Sequence, residues 1–302
     1  MKVLSVGSEF YPLVKTGGLA DVMGALPSAL APEGIGMRAL IPGYPSVLAK
    51  LNDGQTVLDI PGLFGGDARI IAAGPGDLPI FVLDAPHLFA RSGNPYHGPD
   101  GMDWPDNPRR FAALCRAGAM IARGAIPGFV PDAVHAHDWQ AGLLPAFLHF
   151  DGLPAPPVVM TVHNLAFQGQ FPAYLLGTLG LPARAYAIDG VEYYGAIGFL
   201  KAGLQLADAI TTVSPNYAAE IATREGGMGL DGLIRARSSA MHGILNGLDI
   251  EVWNPATDGV LAARFSARTL AARAANRQAL QERMRLDRDD TALLFGVVSR
   301  LA

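Results

Sequence analysis

A lysine and two glycines stand between a short apolar run and a helical pattern near the start of the chain. The stretch reads KTGGLADV and contains Lys15, Gly17 and Gly18. Glycine permits tight backbone turns, and the free amides at the start of a helix suit an anion. The spacing is neither GxGxxG nor GxxxxGK followed by Ser or Thr, so the two familiar phosphate-loop signatures are absent. The stretch indicates either another kind of anion-binding turn or a plain glycine turn beside a solvated lysine.

Histidines, an aspartate and an asparagine follow two other apolar runs, in HAHDWQAG and TVHNLAFQG. In the first run, alternation along a strand puts His135 and His137 on one face, with Asp138 at the strand end or a helix cap. A metal site is one interpretation, although the run has fewer closely spaced ligands than a bridged metal-hydrolase site needs. Packed imidazoles with a capping aspartate are the alternative. In the second run, His163 and Asn164 stand at another strand end, and the two ends could face one cleft.

The elements that must position these residues alternate between strand-like and helix-like patterns. Apolar runs predict strands at 2–8, 37–42, 67–73, 79–85, 132–137, 157–163 and 209–214. Helical periodicity predicts helices at 18–31, 107–124, 139–150, 196–208 and 215–225. Continuous apolar strands that alternate with helices predict a parallel sheet covered on both faces. Ligands of such sheets bind outside the carboxyl ends of the strands, so the residues just after each strand are the functional candidates.

A long connection at 86–106 is rich in Gly, Pro and Asn and contains Phe89, Tyr96 and Trp104. Loops of that length in compact domains are usually functional or disordered, and the aromatic residues favour a binding loop. A domain boundary is predicted at an Asn-Gly and proline-punctuated stretch, which gives a domain at 1–242 and a second segment at 243–302. In the second segment the pattern predicts a helix over 266–284 and a strand over 292–302.

The composition fits about two domains, because the chain has 302 residues. The net charge of −4 does not point to nucleic acid or an anionic membrane as a partner. No apolar run approaches the ~20 residues of a membrane span, and Glu9 interrupts the N-terminal run too early for a signal peptide. The single cysteine, Cys115, excludes an internal disulfide and fits a reducing compartment. We therefore expect a cytoplasmic protein.

Six motifs occur along the chain from Met1 to Ala302, in the order KTGGLADV, HAHDWQAG, TVHNLAFQG, FLKAGLQLADAITTVSP, GILNGLDIEVWNP and GVVSRL. Together they resemble the bacterial glycogen synthases and the related plant starch synthases, which are retaining glycosyltransferases with two Rossmann-like domains. The resemblance implies an α/β fold, with the Rossmann-like N-terminal domain of a GT-B glycosyltransferase. Only the start of the second Rossmann domain is expected, truncated after its first strand. The implied reaction transfers glucose from ADP-glucose to the non-reducing end of glycogen or another α-1,4-glucan, with retention and without a cofactor or obligatory metal.

The resemblance also implies roles for individual residues. Asp138 and His163 are the expected catalytic residues, beside the transferred glucose. The expected substrate-binding residues are Lys15, Gly17, Gly18, Asn164, Asn246 and Arg300. A lysine and backbone amides would stabilise the charge that grows on the departing diphosphate. A dipole at the His163–Asn164 strand end would stabilise oxocarbenium character at the anomeric carbon.

Three functions are weighed on this sequence. The first is the ADP-glucose-dependent glucosyltransferase, and the second is a catalytically incomplete fragment that only binds glucan. The family's QKG segment and glutamate-bearing loop do not follow Ala302. Because positioning is worth ~7–11 kcal/mol of barrier, we expect the 302-residue chain alone to be inactive or nearly so. A nicotinamide-dependent oxidoreductase ranks last, because GxGxxG and an acid some way beyond it are missing.

Overall fold

A sheet with helices on its faces organises the first part of the chain. The computed structural model describes residues 1–51, 53–73 and 80–298, in two units, Met1–Asn246 and Gly247–Ala302. The described strands are β1 (Lys2–Val6), β2 (Gly36–Pro42), β3 (Gln55–Leu63), β4 (Gly66–Ala73), β5 (Ile80–Asp84), β6 (Ala133–His137), β7 (Val158–Val162), β8 (Gln170–Pro172), β9 (Glu192–Tyr193), β10 (Ala196–Gly198), β11 (Ala209–Thr212) and β12 (Met241–Gly243).

The helices of the first unit follow the strands in the manner of a doubly wound fold. In the described residues they are α1 (Gly18–Leu30), α2 (Pro45–Leu48), α3 (Pro86–Phe89), α4 (Asn107–Ala122), α5 (Leu144–Phe150), α6 (Phe199–Leu206), α7 (Pro215–Ile221) and α8 (Asp231–Ala236). Local chemistry fixes the start of α7: Tyr217 N donates to Ser214 Oγ at 2.9 Å, so Ser214 caps this helix, and Pro215 is its first residue. The helix α4 is buried along most of its length and packs on α5 and on β1.

Within the described residues, nine strands form the main sheet in the order β12-β11-β7-β6-β1-β2-β5-β4-β3. The strands from β12 to β5 are parallel, as predicted from their apolar runs. The predicted parallel sheet has an antiparallel extension at one edge, where β5, β4 and β3 pair. The strands β3 and β4 form a tight hairpin through Phe64 and Gly65, which both have positive φ (49° and 97°). Such a turn matches the twist of paired strands.

Two predicted helices are interrupted in the structure. The segment predicted at 139–150 is a short 3₁₀ turn, Trp139–Ala141, followed by α5. The break includes Gly142, where an added Cβ would lie 2.2 Å from the carbonyl oxygen of Phe199, so the backbone of α6 approaches closely there. The segment predicted at 196–208 begins instead with β10, which joins β8 and β9 in a small antiparallel sheet. Tertiary pairing overrides the helical periodicity at these positions.

The order of the strands places one crevice at β1. The chain goes from β1 to β2 on one side and later to β6 on the other, so the strand order reverses between β1 and β6. Ligands of open α/β sheets bind at such a switch point, outside the carboxyl ends of the strands. The loop after β1 leads to Lys15, and the ends of β6 and β7 lead to Asp138 and His163.

The second unit contains the helix α9 (Arg273–Arg283). The side chain of Asn276 bonds both backbone groups of Ala263, at 2.7 and 2.9 Å, and thereby fixes the preceding segment against this helix. The predicted strand at 292–302 is not found: residues 292–298 form no strand, and 299–302 lie outside the described residues. The apolar residues at 292–298 therefore pair with no strand among the described residues of this unit. No helix in the described ranges is long and apolar enough to cross a membrane.

Candidate active site

The loop between β1 and α1 is open on its outer side at two glycines. A Cβ added at Gly17 or Gly18 would meet no atom within 4 Å. Gly17 has extended backbone, with φ −150°, and neither glycine has a positive φ. Neither backbone strain nor crowding by the protein therefore requires glycine here. What the two glycines leave is free space directly above the start of a helix of 13 residues.

Lys15 lies at the surface of this loop in an exposed ion pair. Its Nζ is 2.7 Å from both carboxylate oxygens of Asp21, which is in the first turn of α1. Both side chains are about half exposed (47% and 52%). Exposed pairs of this kind contribute about 0–1 kcal/mol, so a stronger anion can displace Asp21 from the lysine.

The buried carboxylate of Glu9 fixes the loop between β1 and α1 through hydrogen bonds. Glu9 is 3% exposed and lies shortly after β1, which ends at Val6. Its oxygens accept hydrogen bonds from the Thr16 amide, from Thr16 Oγ1 at 2.6 Å and from the Gly17 amide at 3.2 Å. Tyr96, from the long 86–106 connection, donates its hydroxyl to Glu9 at 2.5 Å. The amides of Thr16 and Gly17 are therefore engaged by protein, and the amides left for an anion are those of the first turn of α1.

Asp138 connects the ends of β6 and β7. Its Oδ1 accepts a hydrogen bond from the His163 amide at 2.7 Å, and its own amide donates to Thr161 O at 2.9 Å. Its backbone has φ 53° and ψ −173°, a conformation that favours glycine. Burial raises the pKa of Asp138 to about 7, opposed by the amides of His163 and Asn164, while the charge of Glu9 raises it further. The carboxyl group is thus poised between its neutral and charged forms near neutral pH.

A row of imidazoles lies beside Asp138 on one face of the sheet. His137 Nδ1 and His163 Nε2 are 3.0 Å apart, and His137 Nε2 is 3.0 Å from Ser5 Oγ. The rings of His135 and His137 have centroids 4.0 Å apart. Burial lowers the pKa of His135 and of His163 to about 4, and that of His137 well below its ordinary value. All three rings are therefore neutral at pH 7.

Hydroxyl groups hold two of the imidazoles, those of His135 and His137. His135 Nε2 lies 2.6 Å from Thr161 Oγ1, and that oxygen lies 2.5 Å from Thr211 Oγ1. In the ranges that the structure describes, no group of three or more His, Cys, Asp or Glu residues could hold a metal ion. The site offers hydrogen-bond donors and acceptors around a crevice, which is the chemistry of a polar organic ligand.

Several known proteins are similar to this chain in sequence and in fold. The family model described as the starch synthase catalytic domain matches residues 2–236. This chain belongs to the starch synthase family. A glycogen synthase of Acidiphilium cryptum is 70% identical over all 302 residues, and one of Rhodopseudomonas palustris (strain BisA53) is 62% identical over the same length. The chain spans 63% and 62% of those two proteins.

A solved starch synthase confirms the fold. The catalytic domain of Starch Synthase IV from Arabidopsis thaliana, bound to ADP and acarbose, superposes with a TM-score of 0.78 at 30% identity. The match covers 93% of this chain and 58% of that one. The expected α/β fold with a Rossmann-like, GT-B type N-terminal domain is thereby confirmed.

The residues that the family resemblance selected are brought together only in part. Asp138, His163 and Asn164 share the ends of neighbouring strands, and Lys15, Gly17 and Gly18 share the loop after β1. Asn246 is exposed at the end of the first unit and makes no hydrogen bond with any residue that the structure describes. Arg300 lies outside the described residues.

Three residues of this candidate site were not selected from the sequence. Glu9 carried a signal, because it is an acid directly after the predicted strand at 2–8. Tyr96 was noted only as one aromatic residue of a long loop, and Ser5 is a small residue inside a strand with no visible signal. Tyr96 contacts Glu9, and Ser5 contacts His137. Both contacts join residues far apart along the chain, so no local sequence pattern predicts them.

Proposed function

We propose that this chain forms one side of the active site of a retaining glucosyltransferase. The reaction moves glucose from ADP-glucose to the non-reducing end of an α-1,4-glucan such as glycogen, in the cytoplasm. The open backbone at Gly17 and Gly18, beside the polar ends of β6 and β7, is the observation that supports it most. The high identity to proteins named glycogen synthase, and the ADP and acarbose bound to the Arabidopsis enzyme, point the same way.

The diphosphate of the donor fits the loop after β1. Lys15 exchanges its exposed pairing with Asp21 for a phosphate, which carries more charge. The first turn of α1 presents backbone amides and the positive end of the helix dipole to the same anion. Both groups stabilise the negative charge that grows on the departing diphosphate. Arg300 is proposed as a further phosphate contact, on the basis of sequence resemblance.

The transferred glucose fits the ends of β6 and β7. Asp138 has carboxyl oxygens that can bond sugar hydroxyls while Oδ1 also holds the His163 amide. His163 is half-buried and Asn164 is exposed, so both line the crevice. Their strand end supplies dipoles beside the anomeric carbon, where positive charge develops in retaining transfer. Asn246 is proposed as an additional contact to substrate.

Glycogen and nucleotide-sugar assays on residues 1–302 test this proposal. The measurements are ADP release from ADP-glucose with glycogen present, and retardation of the chain in glycogen-containing gels. The K15A variant removes the proposed phosphate contact. The matched control is K2A, because Lys2 begins β1 at its opposite end and bonds only Asp132 and Gly128 among described residues.

The outcomes separate the two functions that the sequence leaves open. ADP release that K15A abolishes and K2A preserves would support the glucosyltransferase. Retardation by glycogen without ADP release would support a chain that only binds glucan. A chain that neither releases ADP nor is retarded by glycogen would overturn the proposal.

A further inference from the structure

A continuous chain of hydrogen bonds runs from the interior of the sheet to the crevice. Ser5, near the carboxyl end of β1, is fully buried, and its Oγ lies 3.0 Å from His137 Nε2. The other ring nitrogen of His137, Nδ1, lies 3.0 Å from His163 Nε2. His137 is also fully buried, whereas His163 is half-buried at the crevice. The distances alone leave open which atom donates in each bond.

The hydroxyl group of Ser5 determines which atom donates in the hydrogen bond between Ser5 and His137. Among the described residues, Ser5 Oγ has one hydrogen-bond partner, His137 Nε2. If that nitrogen carried the proton and donated to Ser5, the hydroxyl hydrogen of Ser5 would be buried without an acceptor. An unsatisfied buried donor is costly, so Ser5 donates and His137 Nε2 accepts.

This direction propagates through the two rings. A neutral imidazole has one N–H donor and one acceptor nitrogen. Because Nε2 of His137 accepts, its Nδ1 carries the proton and donates to His163 Nε2. His163 Nε2 therefore accepts, and the proton of the His163 ring is on Nδ1. Both rings are neutral because burial lowers their pKa values.

We propose that Ser5, acting through His137, holds His163 in the tautomer whose Nδ1 carries the hydrogen. Ser5 and His137 are positioning residues for His163, and they make the free nitrogen of His163 a hydrogen-bond donor. No described residue bonds to His163 Nδ1, so this donor is available to a ligand. If the proposed function holds, the acceptor of this hydrogen bond is an oxygen atom of the transferred sugar. The same nitrogen cannot act as a base, because it has no free electron pair.

Nuclear magnetic resonance of the histidine rings tests the tautomer directly. Long-range proton–nitrogen spectra of ¹⁵N-histidine-labelled chain distinguish a protonated ring nitrogen from an unprotonated one. The sequence has 7 histidines, and the variants H137N and H163N assign the two signals. At pH 7, without any ligand, we expect protonated Nδ1 and unprotonated Nε2 in both rings. Protonated Nε2 in His163 would overturn the proposal, whatever the variants do.

The variant S5A tests the role of Ser5. It removes the hydroxyl that fixes the direction, so the Nε2 signal of His163 should move toward the position of a protonated nitrogen. The matched control is T212V, which removes another buried hydroxyl, bonded to Val162 O at 2.8 Å and to neither histidine. An S5A spectrum identical to wild type would show that Ser5 does not hold the tautomer. Because no substrate is present, these results do not depend on whether the glucosyltransferase proposal holds.

Discussion

Replacing His135 with glutamine should remove part of the acid sensitivity of the first unit. Burial lowers the pKa of His135 from 6.5 to about 4, with a further lowering from His163. The unfolded chain takes up this proton near the ordinary pKa, so between the two values it binds more protons than the folded chain. Folding stability therefore falls as the pH falls through this window. Glutamine can bond Thr161 in place of the ring and does not titrate.

The size of the effect follows from the pKa of His135. One pKa unit corresponds to about 1.4 kcal/mol, so the complete shift is worth about 3 kcal/mol. Between pH 7 and pH 5, about 2 kcal/mol of this is lost. The lowered pKa values of His137 and His163 act in the same direction. The raised pKa of Asp138 acts oppositely, because it makes stability fall as the pH rises toward and through 7. These groups are common to both proteins, and burial, the main cause of the lowered pKa of His137, is the same in both; only the smaller effect of the His135 charge on His137 differs.

Urea unfolding at pH 7 and pH 5 measures this difference. The fluorescence of Trp104 and Trp139 reports on the first unit, and Trp253 is replaced by phenylalanine in every protein compared. Wild type should lose about 2 kcal/mol more than H135Q between the two pH values. The control H242Q removes an exposed ring and should behave as wild type does. Equal losses in wild type and H135Q would refute the reasoning.

Two glycine substitutions give contrasting expectations. Alanine at Gly18 should weaken ADP-glucose binding, measured by calorimetry, because its Cβ enters the space left for the ligand. The control is G232A, in α8, where an added Cβ also meets no atom within 4 Å. Each variant should gain about 0.5–1 kcal/mol of stability. Equal affinity of G18A and G232A for ADP-glucose would contradict the assignment of Gly18 to the ligand site. Alanine at Gly142 should destabilise by about 1–3 kcal/mol, because the Phe199 carbonyl oxygen is in the way. An unchanged melting temperature in G142A would show that α5 and α6 can separate without cost.

The buried part of the sheet could be predicted because burial on both faces leaves a plain signal. The strand β5 reads IFVLD with every residue buried, and β7 reads VVMTV with nearly every residue buried. The edge strand β3 gave no such signal, because most of its side chains are partly or fully exposed and it includes Pro61. Its place is fixed by the Phe64–Gly65 turn and by pairing with β4, which act together only in the folded chain.

The candidate site also has a part that the sequence predicts and a part that it does not. Asp138 and His163 could be predicted because polar residues directly after apolar strands lie at the ligand-binding edge of a parallel sheet. Gly17 was expected to bind substrate, but no local pattern in the sequence shows that its amide already donates a hydrogen bond to Glu9. Glu9 approaches the loop because Tyr96, far along the chain, supports it from the other side.

The backbone of Asp138 shows that its carboxylate offsets a conformation that glycine would adopt more easily. Its φ of 53° with ψ of −173° costs a residue with a side chain on the order of 1–3 kcal/mol. Glycine adopts this conformation with little strain. A D138G protein would lose this strain, but the His163 amide would lose the acceptor of its hydrogen bond, which costs about 1–3 kcal/mol in the opposite direction. The two terms are of similar size, so D138G should change stability little while it removes the side-chain hydrogen bond between the ends of β6 and β7.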